Sequence, residues 1–110
     1  MRDHELPALS HLQFLVVGIL LPGERSGRSI RRILEQYQIP RSAPAFYQMM
    51  ARLERDGIAL GTYEQIKVGD QSVTERRYRA TRAGARLWER SYSFYEHVRL
   101  GIADHRWSDA

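Results

Sequence analysis

The hydrophobic periodicity of the chain changes at Ile58, and this change constrains the fold more than any other sequence feature. Before Ile58, apolar residues recur every three to four positions, which is the spacing of helices with one buried face. After it, β-favouring residues at 62–68 lead into the polar segment 69–72 and return over 73–80. This pattern predicts a β-hairpin with a polar tip. Residues 81–104 are then predicted to form one long helix with Thr81 as its cap.

Two helices are predicted in the first forty residues. Ser10 and Gln13 form a capping-box pattern that opens a helix running to about Leu21, where Pro22 and Gly23 end it. A polar loop over residues 23–27 follows. The second helix has an apolar face of Ile30, Ile33, Leu34 and Tyr37 and a polar face of Arg31, Arg32, Glu35 and Gln36.

A third helix is predicted over residues 42–56, after Pro40 ends the second one. Ser42 is its N-cap, Pro44 lies in its first turn, and Gly57 is placed to close it. Three helices, a hairpin and a long helix are the order of a winged helix-turn-helix. We therefore expect a mainly α (α+β) fold, with a winged helix-turn-helix domain at 1–81 and a C-terminal helix and tail at 82–110, packed as a single structural unit.

Composition limits the function classes. The length of 110 residues suits one domain, since compact domains centre on roughly 100 to 150 residues. There is no cysteine, and the four histidines lack metal-ligand spacing, so neither a disulfide framework, a metal site nor any other cofactor is expected. The longest apolar run is too short to cross a bilayer and no basic leader precedes it, so we expect a cytoplasmic protein without membrane contact.

Positive charge is concentrated in two segments. Arg25 to Arg55 holds seven arginines and two glutamates, and Arg76 to Arg90 holds six arginines and one glutamate. Each segment has a formal charge of +5 while the whole chain has +4, so the remainder is acidic. A GC-rich genome would explain Arg in place of Lys but not this segregation. Nucleic acid is the target that such a pattern favours.

The third helix and the hairpin carry the candidate DNA contacts. In a helix-turn-helix, side chains near the N-terminus of the second helix of the pair meet base edges in the major groove. Gln can form bidentate hydrogen bonds with adenine, and Arg can form them with guanine. On this helix the candidates are Arg41, Ser42, Ala45, Gln48 and Arg52. An ordinary solvated helix face would have a similar composition, so this face alone leaves both interpretations open.

The hairpin is interpreted as a wing, which needs a polar tip flanked by cations. Its candidates for DNA contact are Lys67, Gln71, Arg76 and Arg77. Strand alternation puts Arg77 and Arg79 on one face and Arg76 and Tyr78 on the other, and we favour Arg77 over Arg79 as the contact. The alternative is an edge strand whose charges only prevent aggregation.

Three stretches resemble the PadR family of transcriptional regulators, and together they span roughly residues 10 to 90. They are YQMMARLERDG from Tyr47 to Gly57, RRYRATRAG from Arg76 to Gly84, and LVVGILL from Leu15 followed by Gly27 and Ile30. The chain departs from the family at Arg28, Arg77 and Arg82, where Tyr, Tyr and Glu are common, and each departure adds positive charge. The resemblance implies a homodimeric repressor on an inverted-repeat operator, with Tyr47 at a phosphate and the C-terminal helix as dimer element.

The last helix has a wider apolar surface than one small domain needs. Two neighbouring stripes supply the expected dimer interface, which consists of Leu87, Trp88, Tyr92, Phe94, Tyr95, Val98 and Ile102. The alternative is that both stripes fold back onto the first helix. A site for a flat ligand, such as a small aromatic effector, among Trp88, Tyr92, Tyr95 and Trp107 is a weaker hypothesis.

Three function classes compete to explain these features. A sequence-specific DNA-binding regulator explains the convergence of cations, whereas a winged-helix protein-interaction module has no need of it. An enzyme is the weakest interpretation, because the sequence has no phosphate loop, nucleophile elbow, metal-binding histidine pair or paired carboxylates.

Overall fold

The computed structural model describes residues 5–105 and 107, and it confirms the predicted order of elements. His4 and parts of the predicted segments 1–81 and 82–110 lie outside the described residues. The elements are α1 (His11–Leu20), β1 (Arg25–Ser26), α2 (Gly27–Gln36), α3 (Ala43–Arg55), β2 (Ala59–Val68), β3 (Gln71–Ala80) and α4 (Arg82–Ala103).

Every helix of the described chain begins at a hydroxyl side chain that accepts a hydrogen bond from a backbone amide of the first turn. The caps are Ser10, Ser26, Ser42 and Thr81. The predicted capping box is complete, since the Gln13 side chain also accepts from the Ser10 backbone N–H at 2.9 Å. α3 ends as predicted, with Gly57 at a φ of 73°, a conformation that favours glycine. Local sequence therefore sets the helix boundaries.

The sheet has three antiparallel strands in the order β1-β3-β2. Val68 pairs with Gln71, so the hairpin turn is only Gly69-Asp70, shorter than the predicted four-residue tip. Gly69 has a φ of 65° and Asp70 does not share a positive φ, which matches a type II′ turn. β1 was not predicted, because two residues inside a polar loop show no periodicity. It exists through its pairing with Tyr78 and Arg77 of β3.

The core lies between the first three helices and the base of the hairpin. Its fully buried apolar side chains are Val16 and Val17 of α1, Ile30 and Leu34 of α2, and Phe46, Met50 and Leu53 of α3. Tyr78 is the sheet's large contribution, with 2% of its surface exposed. Its ring meets Phe46 edge-on, with ring centroids 6.4 Å apart. The outer half of the hairpin lies outside this core, so it projects as a wing.

α4 is attached to the body by its first turns. Thr81 Oγ1 donates to the carbonyl of Gly57 at 2.6 Å and accepts from the backbone N–H of Gly84 at 2.9 Å. Further along, the rings of Phe14 and Trp88 stack with centroids 4.9 Å apart, which holds α1 against α4. The radius of gyration is 17.2 Å, well above the roughly 13 Å of a compact domain of this size. The molecule is therefore elongated, with extents of 70 × 29 × 22 Å.

Among the described residues, no helix combines the length and apolar character needed to cross a membrane.

Candidate nucleic-acid interface

The exposed face of α3 presents the residues expected to recognise bases. Gln48 and Arg52 are exposed one turn apart, and Arg41 is exposed just before the helix. None of the three side chains has a hydrogen bond or ion pair with another described residue. Ser42 differs, because its Oγ already accepts from the backbone N–H of Ala45 at 3.3 Å as the helix cap. Ala45 itself is half-buried.

Tyr47 lies between α3 and α2. Its side chain is 38% exposed, and its ring meets Phe46 edge-on with centroids 5.0 Å apart. A Cβ at Gly27 would stand only 2.9 Å from the Tyr47 hydroxyl, so the first residue of α2 must be small for this placement. The Tyr47 hydroxyl thus lies beside the start of α2. In proteins generally, the backbone N–H groups at the start of a helix can bind phosphate.

Arg76 is held by α3 and by the wing. Its Nη2 donates to Glu54 Oε1, and its guanidinium lies 4.3 Å from the ring centroid of Tyr63. The same guanidinium is 5.6 Å from the ring of Tyr78. These contacts fix the side chain between α3 and the hairpin, with 24% of it exposed.

Arg77 lies among three carboxylates. Its Nε is 2.7 Å from Glu24 and 3.1 Å from Glu64, and its Nη1 is 3.1 Å from Glu75. The hydrogen bonds that Arg77 donates to Glu24 and then to Glu75 are the main causes that raise the pKa of Arg77 above its ordinary value. Three carboxylates leave this point of the surface acidic. The sequence-based preference for Arg77 as a DNA contact stays a prediction, in surroundings that oppose it.

The wing tip presents Lys67 and Gln71, both exposed and without an ion pair to any carboxylate of the described chain. Lys67 faces Ser72 across the hairpin, two positions from the turn. Gln65 and Ser72 are hydrogen-bonded at 3.1 Å on the same pair of strands. The tip therefore presents the ammonium group of Lys67 at the outer end of the wing.

The arginines on the polar face of α2 were expected from the sequence, but no role was predicted for them. In the structure Arg28, Arg31 and Arg32 join Arg41 around a cavity of about 200 Å³ that also includes Glu35. Arg28 lines a second cavity with Tyr47 and Arg76, between α2, α3 and the wing. The signal that would have found them is the spacing of residues 28, 31, 32 and 35, which places their side chains on one side of a helix.

The expected dimer residues fall into two groups. Trp88 and Tyr95 contact α1, since both rings lie against Phe14. The remaining predicted residues are Leu87, Tyr92, Phe94, Val98 and Ile102, and each is half-buried or exposed. Tyr92 is 49% and Ile102 62% exposed. The fully buried positions of α4 are Gly84, Ser91 and Gly101, so none of its large apolar side chains is fully covered by the described part of the chain.

The aromatic residues considered for a ligand separate in the same way. Trp88 stacks on Tyr92 with centroids 5.6 Å apart, while Trp107 lies over Gly101 near the end of α4. A mainly apolar cavity of about 390 Å³ adjoins Trp88 and is lined by Phe14, Leu15, Gly18, Ile19 and Tyr37. A small aromatic effector stays a prediction. Among the described residues, no group of three or more His, Cys, Asp or Glu side chains is placed to hold a metal ion.

Several solved structures share the fold of this chain. A PadR family transcriptional regulator from Eggerthella lenta has a TM-score of 0.64 and 23% identity over 89% of this chain and 83% of its own. One from Clostridium difficile has a TM-score of 0.72 and 14% identity, covering 87% of this chain and 98% of its own. Bacillus subtilis PadR in complex with operator DNA has a TM-score of 0.58 and 20% identity, covering 72% of this chain and 45% of its own.

No family sequence model and no curated protein sequence matches the chain. The likeness is therefore one of fold, and it confirms the PadR-like winged helix with its C-terminal helix. The proteins from Eggerthella lenta and Clostridium difficile are transcription regulators, the class of protein that the sequence favoured over an enzyme.

Proposed function

Because the chain has the fold of PadR-family transcriptional regulators, we propose that it is a DNA-binding regulator. It acts as a homodimer that represses transcription from an inverted-repeat operator. Residues 1–81 form its DNA-binding part and residues 82–110 its dimerisation helix and tail, within one structural unit.

The observation that carries this proposal is the unpaired polar face of α3. Gln48 and Arg52 are exposed, and neither is engaged by another described side chain. Arg77 and Arg99, by contrast, each form an ion pair with a carboxylate of their own chain. Free amide and guanidinium groups on a helix of this position are what base recognition in the major groove requires.

Tyr47, Arg76 and the wing tip extend the contact surface to the DNA backbone. The solved neighbour from Bacillus subtilis is a complex with operator DNA, which supports DNA binding by a chain of this fold. Lys67 and Gln71 at the tip, with Arg41 and Ser42 at the start of α3, complete the proposed surface. Arg77 contributes to DNA binding only if the approach of phosphate displaces its carboxylates.

The dimer follows from the uncovered side chains of α4. Removal of apolar surface from water is the main favourable term in association, at roughly 25 cal/mol per Å². Tyr92, Phe94, Val98 and Ile102 provide such surface, and Leu87, Trp88 and Tyr95 border it where α4 packs on the body of the domain. Two-fold pairing would place two copies of α3 about one DNA turn, roughly 34 Å, apart and so define an inverted-repeat operator.

The proposal is tested by selecting duplexes from a randomised pool with the purified full chain. The enriched sequence is then measured by fluorescence anisotropy beside a random duplex. We expect an inverted repeat that binds at least about tenfold more tightly than the random duplex. The variant Gln48→Ala/Arg52→Ala should lose this preference. Arg86→Ala is the matched control, because it removes an exposed guanidinium from α4.

Repression is tested with the enriched sequence placed over a reporter promoter, where the wild type should lower the output and the double variant should not. A pool that enriches no sequence, or a preference unaffected by the double variant, would overturn the proposal. In the first case the alternative function, a winged-helix protein-interaction module, is the one to test next.

A further inference from the structure

The cavity beside α2 brings together four arginines and one carboxylate, a formal excess of three positive charges. Arg28, Arg31 and Arg32 come from α2, and Arg41 comes from the segment between α2 and α3. We call this group the arginine pocket. Like charges repel at short range, so a pocket with this composition is stabilised by a bound anion.

These arginines differ from several others in the molecule. Arg55, Arg76, Arg77 and Arg99 each have a carboxylate within 4.0 Å, whereas no described carboxylate forms an ion pair with any arginine of the pocket. Glu35 lines the same cavity without pairing. The pocket arginines thus keep guanidinium N–H donors free of carboxylates, while Arg76 and Arg77 of the wing donate to carboxylates.

Arg31 shows the strongest sign of a missing acceptor. Its Nη2 donates to the backbone carbonyl of Arg41 at 3.3 Å, which fixes the guanidinium across the α2–α3 junction. Its Nε is buried and has no hydrogen-bond partner among the described residues. A buried donor without an acceptor is unfavourable, and native structures almost always satisfy it.

We propose that the arginine pocket binds a phosphate group. Guanidinium groups bind phosphate through paired N–H donors, more specifically than a point charge does. The cavity of about 200 Å³ compares with about 30 Å³ for one water molecule, so it has room for a phosphate group and its hydration. The carboxylate of Glu35, which also lines the cavity, repels anions that do not form such paired hydrogen bonds with the guanidinium groups.

Two sources with the same chemistry could supply this phosphate group: the DNA backbone and a free phosphorylated anion. Arg41 immediately precedes Ser42, the cap of α3, so the pocket adjoins the end of the helix that would enter the major groove. If the phosphate belongs to the DNA backbone, the inference rests on the proposed function and adds a backbone contact on the α2 side. If the phosphate belongs to a free anion, the inference is independent of the proposed function.

The test uses the full chain and the variant Arg31→Gln/Arg32→Gln, with Arg86→Gln/Arg90→Gln on α4 as a control of equal charge. The first measurement is anisotropy with a random-sequence duplex at several salt concentrations. The second is the NMR signal of the arginine Nε–H groups during titration with inorganic pyrophosphate. Arg28→Gln/Arg32→Gln, in which both residues are exposed, replaces the first variant if that variant does not fold.

A DNA phosphate in the pocket should make the slope of log K against log salt shallower by about 0.9 for each phosphate that the pocket variant no longer binds, with no such change in the control. A free anion should instead give saturable pyrophosphate binding that is absent from the pocket variant, with an unchanged salt slope. If the pocket variant matches the control in both measurements, the inference is overturned. Because neither measurement uses an operator, failure of sequence-selective binding is a separate result.

Discussion

The guanidinium of Arg76 lies 4.3 Å from the ring centroid of Tyr63, its cross-strand partner, while its Nη2 donates to Glu54 of α3. This arrangement joins α3 to both strands of the wing. Gly61 makes it possible, because a side chain there would collide with the Glu54 carboxylate. One arginine, one ring and one carboxylate thus link the wing to α3, in addition to the packing of Tyr78 on Phe46.

Neutralising Glu54 should strengthen DNA binding. In Glu54→Gln the Arg76 guanidinium has no charged partner and becomes available to a phosphate. We expect tighter binding to a random duplex, with a salt slope steeper by about 0.9, as for one added phosphate contact. Anisotropy across a salt series measures both. Glu89→Gln is the control, because Glu89 is exposed on α4. Equal affinity in Glu54→Gln and the control would show that Arg76 does not reach DNA.

Gly84→Ala should destabilise the fold. The added Cβ would collide with the backbone carbonyl oxygen of Ile58, where α4 meets the start of β2. Backbone cannot yield as a side chain does, so we expect a decrease of about 1–3 kcal/mol in the free energy of unfolding. Gly23→Ala is the control, since the added Cβ would have no heavy atom of the described chain within 4 Å, apart from those of residue 23 and its two neighbours. Urea unfolding compares the two, and equal stability would contradict the close approach.

Tyr78 should make the fold sensitive to alkali. Burial raises the pKa of Tyr78 above its usual 10.0, although neighbouring Arg76 lowers it in part. The folded chain therefore keeps a proton that the unfolded chain loses. The stabilisation is complete below pH 10 and is lost as the pH rises through the folded pKa.

We expect the free energy of unfolding to fall above pH 10, by at most about 1.4 kcal/mol per pH unit from this group. Tyr78→Phe should flatten this part of the profile, whereas Tyr92→Phe, at a ring 49% exposed, should follow the wild type. Urea unfolding on both sides of pH 10 gives the comparison. A profile of Tyr78→Phe that parallels the wild type would refute the assignment.

Ile102→Glu should weaken self-association. Ile102 is 62% exposed within the chain, so the substitution leaves the core untouched but would bury an unpaired charge in the proposed interface. We expect the dimer dissociation constant to rise on the order of 100-fold, measured by analytical ultracentrifugation. Leu100→Glu is the control, because Leu100 is 44% exposed and two helical positions away, on the opposite side of α4. A wild-type monomer, or equal association in both variants, would exclude α4 as the interface.

Much of the fold could be predicted from short-range sequence patterns. Ser10, Ser42 and Thr81 cap the helices they were expected to cap, and the change of periodicity at Ile58 does mark the step from helices to hairpin. These features depend on residues within one turn or one strand of each other. β1 escaped prediction because Arg25 and Ser26 become a strand only through hydrogen bonding to β3, about fifty residues further along the chain.

The sequence by itself determined that the chain has basic segments, where α1, α3 and α4 begin, and that the last helix carries two apolar stripes. Only the tertiary structure decided which arginines are free. Arg77 and Glu24 are 53 positions apart, and their hydrogen bond at 2.7 Å occupies a cation that the local pattern offered to DNA. Arg31 donates to the backbone carbonyl of Arg41 across the α2–α3 junction, so Arg41 joins the α2 arginines in a pocket, and the helical spacing within α2 did not indicate this contact. The charge of a side chain is fixed by its residue type, but its availability depends on neighbours that folding brings from distant parts of the chain.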